Sequence, residues 1–252
     1  MNLALRKSLQ TSVPQTQFGP FRLLSALPWL VLAAAMRVIA FGGGAVALPA
    51  IIVANLAVLQ AFLATATRSI EAEGGQTGFG HLDFTEQFQL MRVVLWRIVG
   101  LMLAATAALA AAGFTGMAPD MLYGIDGMAF DQHSVTGKFW SAFIAALVLL
   151  ILIGAERNRG RVGLFAALRE FARRWYWLGG AVLVLAIAYL GLSVVQGWVR
   201  SAIWNFWQTS EASQFIKNLI YFVFIFGFAM LRLWMSLAIL TYGLKQSYIH
   251  DN

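Results

Sequence analysis

Six stretches of this chain stay apolar for about the 20 residues that a helix needs to cross a bilayer, and little polar sequence separates them. They run over about 23–41, 45–65, 93–114, 139–155, 176–199 and 219–240. Each is continuously apolar rather than alternating, so none reads as a barrel strand. No polar segment is long enough to fold by itself, so residues 1–252 read as a single membrane domain. Composition agrees, with 60% of residues hydrophobic and 12% charged, about half the usual charged share. A soluble protein of this length has too much surface per unit volume to hide so many apolar side chains. The predicted fold class is all-α: a polytopic bundle of six transmembrane helices in three hairpins, with short amphipathic helices on the cytoplasmic face.

The first two runs are separated only by Gly42-Gly43-Gly44, which lets the backbone reverse at little steric cost. The fourth run is the shortest and the weakest candidate. The polar stretch before the first run is too long for the n-region of a signal peptide, and a second apolar run follows at once, so an uncleaved span is expected.

Basic residues beside the spans set the orientation. With the N-terminus inside, Lys138, Arg200 and Lys217 fall in outer loops, at about 115–138 and 200–218. Arg37, Arg97 and Arg232 fall within spans. The other twelve of the 18 Lys and Arg lie in cytoplasmic segments, chiefly the loops at about 66–92 and 156–175. Both termini are therefore expected in the cytoplasm, and the membrane is expected to be a cell inner membrane. The net charge of +7 follows from this clustering beside spans. It does not call for a nucleic-acid partner.

Two of the cytoplasmic entries are amphipathic. Before the fifth span, Leu164, Phe165, Leu168, Phe171, Ala172 and Trp175 recur at helical spacing, with Arg161, Arg169, Arg173 and Arg174 on the other side. Glu170 stands four residues before Arg174, the spacing of a helical ion pair. Before the third span, Phe84, Phe88, Met91 and Leu95 repeat in the same way, with Asp83 and Glu86 in capping-box positions. The plain reading is a pair of interfacial helices, aromatics in the acyl boundary and arginines among anionic head groups. The sharper reading is a docking surface for a partner.

A charge inside a bilayer is a functional hypothesis by default. Arg37 and Arg97 lie about a turn from a span end, where an arginine snorkels to the interface. Arg232 is deeper. No Asp or Glu falls inside a predicted span to pair with it, so its expected partners are backbone carbonyls, Asn55 or Gln60 of the second span, water, a lipid phosphate or an anionic ligand. The third span, rich in Ala104, Ala107, Ala108, Ala111 and Ala112, is expected at the centre of the bundle, because small residues let helices approach closely. The aromatic sixth span is expected at its edge.

Motifs for catalysis are missing. There is no cysteine, and no Walker loop, His-Glu-x-x-His or Gly-x-Ser-x-Gly occurs. His81 with Asp83, and Asp131 with His133 near Asp120 and Asp126, have no spacing that fixes a metal site. The expected function is a non-catalytic accessory, scaffold or assembly component of a membrane complex, with no cofactor, contacting anionic lipids and partner subunits. The alternative is a transporter or channel-like protein for a small anionic solute or lipid. A reporter fused to the C-terminus should be active only in the cytoplasm; activity across the membrane overturns the orientation.

Overall fold

The computed structural model describes residues 26–41, 44–72, 84–123, 134–157 and 163–250. Among them are seven α-helices: α1 (Leu27–Phe41), α2 (Ala47–Ala72), α3 (Phe84–Ala111), α4 (Val135–Arg157), α5 (Leu164–Arg173), α6 (Trp175–Thr209) and α7 (Gln214–His250). Short 3-10 turns cover Gly44–Val46 and Ala118–Tyr123. Five helices, α2, α3, α4, α6 and α7, are long and apolar enough to cross a membrane, and the protein is built to be embedded in one.

The weak member of the series is α1, not the fourth span. It has 15 residues, which at 1.5 Å each is about 22 Å, short of a hydrocarbon core of about 30 Å. Pro28 explains its start, since proline is tolerated in a first helical turn and not further in. At the other end Gly44 takes a φ of 75°, a left-handed conformation that admits the turn into α2.

The fourth run, expected at about 139–155, is a full 23-residue helix and the most enclosed of the five. Lys138, Ser141 and a continuous series from Ala146 to Leu152 are buried. A helix that is apolar all round belongs in the interior, and α4 is sheathed by its neighbours.

The alanine argument for α3 fails. Ala104, Ala107, Ala108, Ala111 and Ala112 are exposed, and α3 is the least buried of the five. Its buried face lies nearer its start, on Leu90, Met91, Val94, Leu95 and Ile98. The amphipathic stretch before the third span is thus the first turns of α3 and not a separate surface helix. Nor is the last span peripheral: Ala229, Leu233, Leu237, Leu240 and Leu244 of α7 sit in the core.

The segment 200–218, expected as a loop, is helical except at Ser210–Ser213. Polar residues such as Arg200, Asn205 and Gln208 lower its hydropathy, but it contains no proline or glycine to stop a helix. Consequently α6 and α7 reach 35 and 37 residues, about 52 and 55 Å. Their buried residues run over Leu178–Tyr189 on α6 and Phe224–Leu244 on α7. The ends beyond these are a two-helix projection, closed by the Ser210 turn and by a Lys217 ammonium donating to the Trp207 carbonyl at 2.8 Å.

The two long helices approach closely at Gly243, where a Cβ would stand 2.5 Å from the Ala181 Cβ. Gly243→Val should therefore destabilise the fold by about 1–3 kcal/mol through overpacking. Gly180→Ala, with nothing within 4 Å, should be neutral or slightly stabilising. Thermal melting in detergent compares them, and equal midpoints would deny the close approach any energetic weight.

Candidate functional site

Polar side chains gather in one place inside the apolar bundle. Arg232 leaves α7 about halfway between Tyr221 and Tyr242. Helical side chains lean toward the N-terminus of their helix, so the guanidinium rises toward the start of α4 and the projecting hairpin. There its Nη2 donates to the Ser141 hydroxyl at 3.0 Å. Its carbon centre lies 4.1 Å from the centroid of the Tyr189 ring, a cation–π contact from α6. The Tyr189 hydroxyl donates to Ser236 at 2.5 Å, and Ser236 in turn donates to the Arg232 carbonyl at 2.7 Å. The set joins α4, α6 and α7 in one buried polar chain.

This chain lines a cavity of about 70 Å³. Arg232, Ser141, Tyr189 and Ser236 form its polar side, and its other walls are apolar, including Leu30 of α1 and Leu59 and Phe62 of α2. One polar atom there is unsatisfied: the Arg232 Nε is buried with no hydrogen-bond partner. Lys138, one turn before Ser141 on α4, is 3% exposed and feels the charge of Arg232. Among the described residues neither cation pairs with a carboxylate. A second groove, larger at about 780 Å³, opens between α6 and α7 beside Tyr176, Trp177 and Tyr242. No charged side chain lines it, so the chemistry concentrates at Arg232.

Asn55 and Gln60, two of the expected partners of Arg232, are engaged elsewhere. Gln60 is buried and donates to Gln87 at 2.7 Å, tying α2 to α3. Asn55 donates to the Ile51 carbonyl, and its Oδ1 is buried without a partner. Neither lines the cavity. The groups that do, Ser141, Tyr189 and Ser236, lie inside apolar runs, where a search for hydroxyls at the depth of Arg232 would have found them. Lys138, expected in an outer loop, belongs to α4.

The amphipathic helix α5 packs Leu164, Ala167, Leu168 and Phe171 inward. Phe171 meets Phe143 of α4 edge to face at 5.1 Å. The anticipated pair forms, with Arg174 Nε donating to Glu170 at 2.6 Å, but it buries Arg174. Arg174 and Phe171 thus leave the outward surface. Phe165, Arg169, Arg173 and Trp175 remain on it, with Phe165 82% exposed. Arg161 lies outside the described residues, as do His81, Asp83, Asp126, Asp131 and His133. Asp120 is described and accepts a hydrogen bond from Ser134. Among the described residues no three His, Asp or Glu side chains gather into a metal site. On the surface of α3, Arg97 is exposed; the side chain of Arg37 lies outside the described set.

Comparison with protein-family models, curated proteins and solved structures finds no match for this chain. Its chemistry is therefore read from the site itself.

Removing the guanidinium tests what it does for the fold. A partly buried cation without a counter-charge is costly, and an apolar replacement is often neutral or stabilising. Arg232→Leu should leave the melting midpoint unchanged or raise it. Tyr189→Phe, which leaves Ser236 without its donor, should lower stability by about 1 kcal/mol. A large loss of stability in Arg232→Leu would make the arginine a structural crosslink.

Proposed function

We propose that this chain is a non-catalytic accessory or scaffold subunit of an inner-membrane complex, docking on a partner through the free end of the α6–α7 hairpin. One observation carries the reading: these helices are longer than a bilayer is thick, and exposed aromatic and aliphatic side chains continue past it among polar ones. Exposed aromatics bracket a span on each helix. Trp175 and Trp198 stand about 35 Å apart along α6, and Tyr221 and Tyr242 about 32 Å apart along α7. Both separations match a hydrocarbon core with its aromatic belts. Beyond Trp198 and Tyr221 lie Trp204, Phe206, Phe215, Ile216 and Leu219, all exposed, with Trp204 at 60% and Phe215 at 74%. In this reading lipid does not cover side chains there, and exposed aromatics outside a bilayer mark a protein interface.

In this reading α1 completes a sixth crossing where the bilayer thins locally, both termini are cytoplasmic, and α5 lies on anionic head groups through Phe165, Arg169, Arg173 and Trp175. The arginine-rich end with α5 is then the inner face, and the hairpin tip projects outward. The absence of a catalytic motif from the sequence agrees with a structural role. A second reading, transport of a small anionic solute or lipid, rests on the cavity at Arg232.

Purification from native membranes in mild detergent tests the main reading. The chain should bring stoichiometric partner subunits with it. Trp204→Asp with Phe215→Asp should release them while leaving the melting midpoint of the isolated chain unchanged. A chain that purifies alone, or a complex indifferent to both substitutions, would overturn it.

A further inference from the structure

We propose that the cavity at Arg232 binds a carboxylate bearing a short apolar tail. The site is separate from the hairpin tip and stands whether the chain is a subunit or a carrier. The guanidinium itself supplies the first reason. Nε and Nη2 share the edge that grips two oxygens of a planar anion side by side. Here Nη2 holds the Ser141 hydroxyl while the neighbouring Nε is buried and unpartnered. A small shift of the side chain that opens Nε to the cavity lets a carboxylate oxygen satisfy the orphaned donor. The second oxygen accepts a hydrogen bond from the Ser141 hydroxyl, whose own oxygen is already engaged as an acceptor.

Charge is the second reason. Arg232 brings a cationic side chain into an apolar setting near the buried amine of Lys138, and among the described residues no carboxylate pairs with either. One bound anion offsets the desolvation of the guanidinium. The walls and the size decide the class of anion. Opposite the polar side stand Leu30, Leu59, Phe62 and Leu233, which suit an alkyl tail and not a hydrated dianion. A cavity of about 70 Å³ has room for about five water-sized groups, the size of a short carboxylate. A spherical ion would leave the planar edge and the apolar walls unused.

The source of the carboxylate is a soluble short-chain acid or the head of a membrane fatty acid. Titration calorimetry on the full chain in nanodiscs separates them, with butyrate added from solution in one arm and oleate-doped nanodiscs in the other. Saturable binding of butyrate, weakened at least tenfold in Arg232→Gln and measurably in Ser141→Ala, supports the proposal with a soluble source. Binding of oleate alone, with the same losses, supports it with a membrane source. Ser141→Ala removes a single oxygen, so the test survives if Arg232→Gln fails to fold. No binding of either acid, equal binding by wild type and variants, or inorganic phosphate binding as tightly as butyrate overturns it.

Discussion

A helix with no polar face has to be covered on every side, and in this protein α4 receives that cover from protein. The 3-10 turn at Ala118–Tyr123 touches its start, where the Trp140 indole donates to the Met121 carbonyl. The amphipathic α5 closes on it through Phe171, and the inner halves of α6 and α7 pack along it. Because α4 is enclosed, the polar residues on its first turns, Lys138 and Ser141, are enclosed with it. They are held in the low-dielectric interior, where an electrostatic interaction counts for more and a lone charge costs more. The position of Arg232 beside them follows from the same packing.

Arg232 illustrates how a half-buried charge can be partly satisfied. One nitrogen is bonded, one aromatic face is placed against the cation, and one donor remains open. An arginine whose role was only to hold three helices together would have every donor engaged, since a half-satisfied polar network is worse for stability than an apolar one. Arg232 lines a small cavity with apolar walls, which is the composition of a recognition site.

Much of the architecture was legible in the residues because hydropathy and length report burial in lipid directly. The spans from α2 onward and the Glu170–Arg174 pair were read in this way. The failures share a cause. Hydropathy does not distinguish lipid from protein interior, so α4 looked marginal when it is the axis, and the alanines of α3 looked central when they face outward. Helical propensity also continues where hydropathy falls, which hid the helices of 200–218. The partners of Arg232 were missed because Ser141, Tyr189 and Ser236 are distant in sequence and meet only through packing. Asn55 and Gln60 were plausible by type but turn to local tasks.

The tight contact between Gly243 and Ala181 gives the α6–α7 pair a mechanical property. From Gly243 to the start of α7 at Gln214 is about 44 Å of continuous helix, with Arg232 about 16 Å along the way. If the two helices rock about that contact as stiff rods, a tilt of about 5° moves the free end sideways by about 4 Å and the arginine by a little over 1 Å in the same direction. The hairpin is then a lever with its fulcrum near one membrane face. A displacement of about 4 Å at the tip arrives at the cavity reduced to about 1 Å, still larger than the spread of hydrogen-bond lengths.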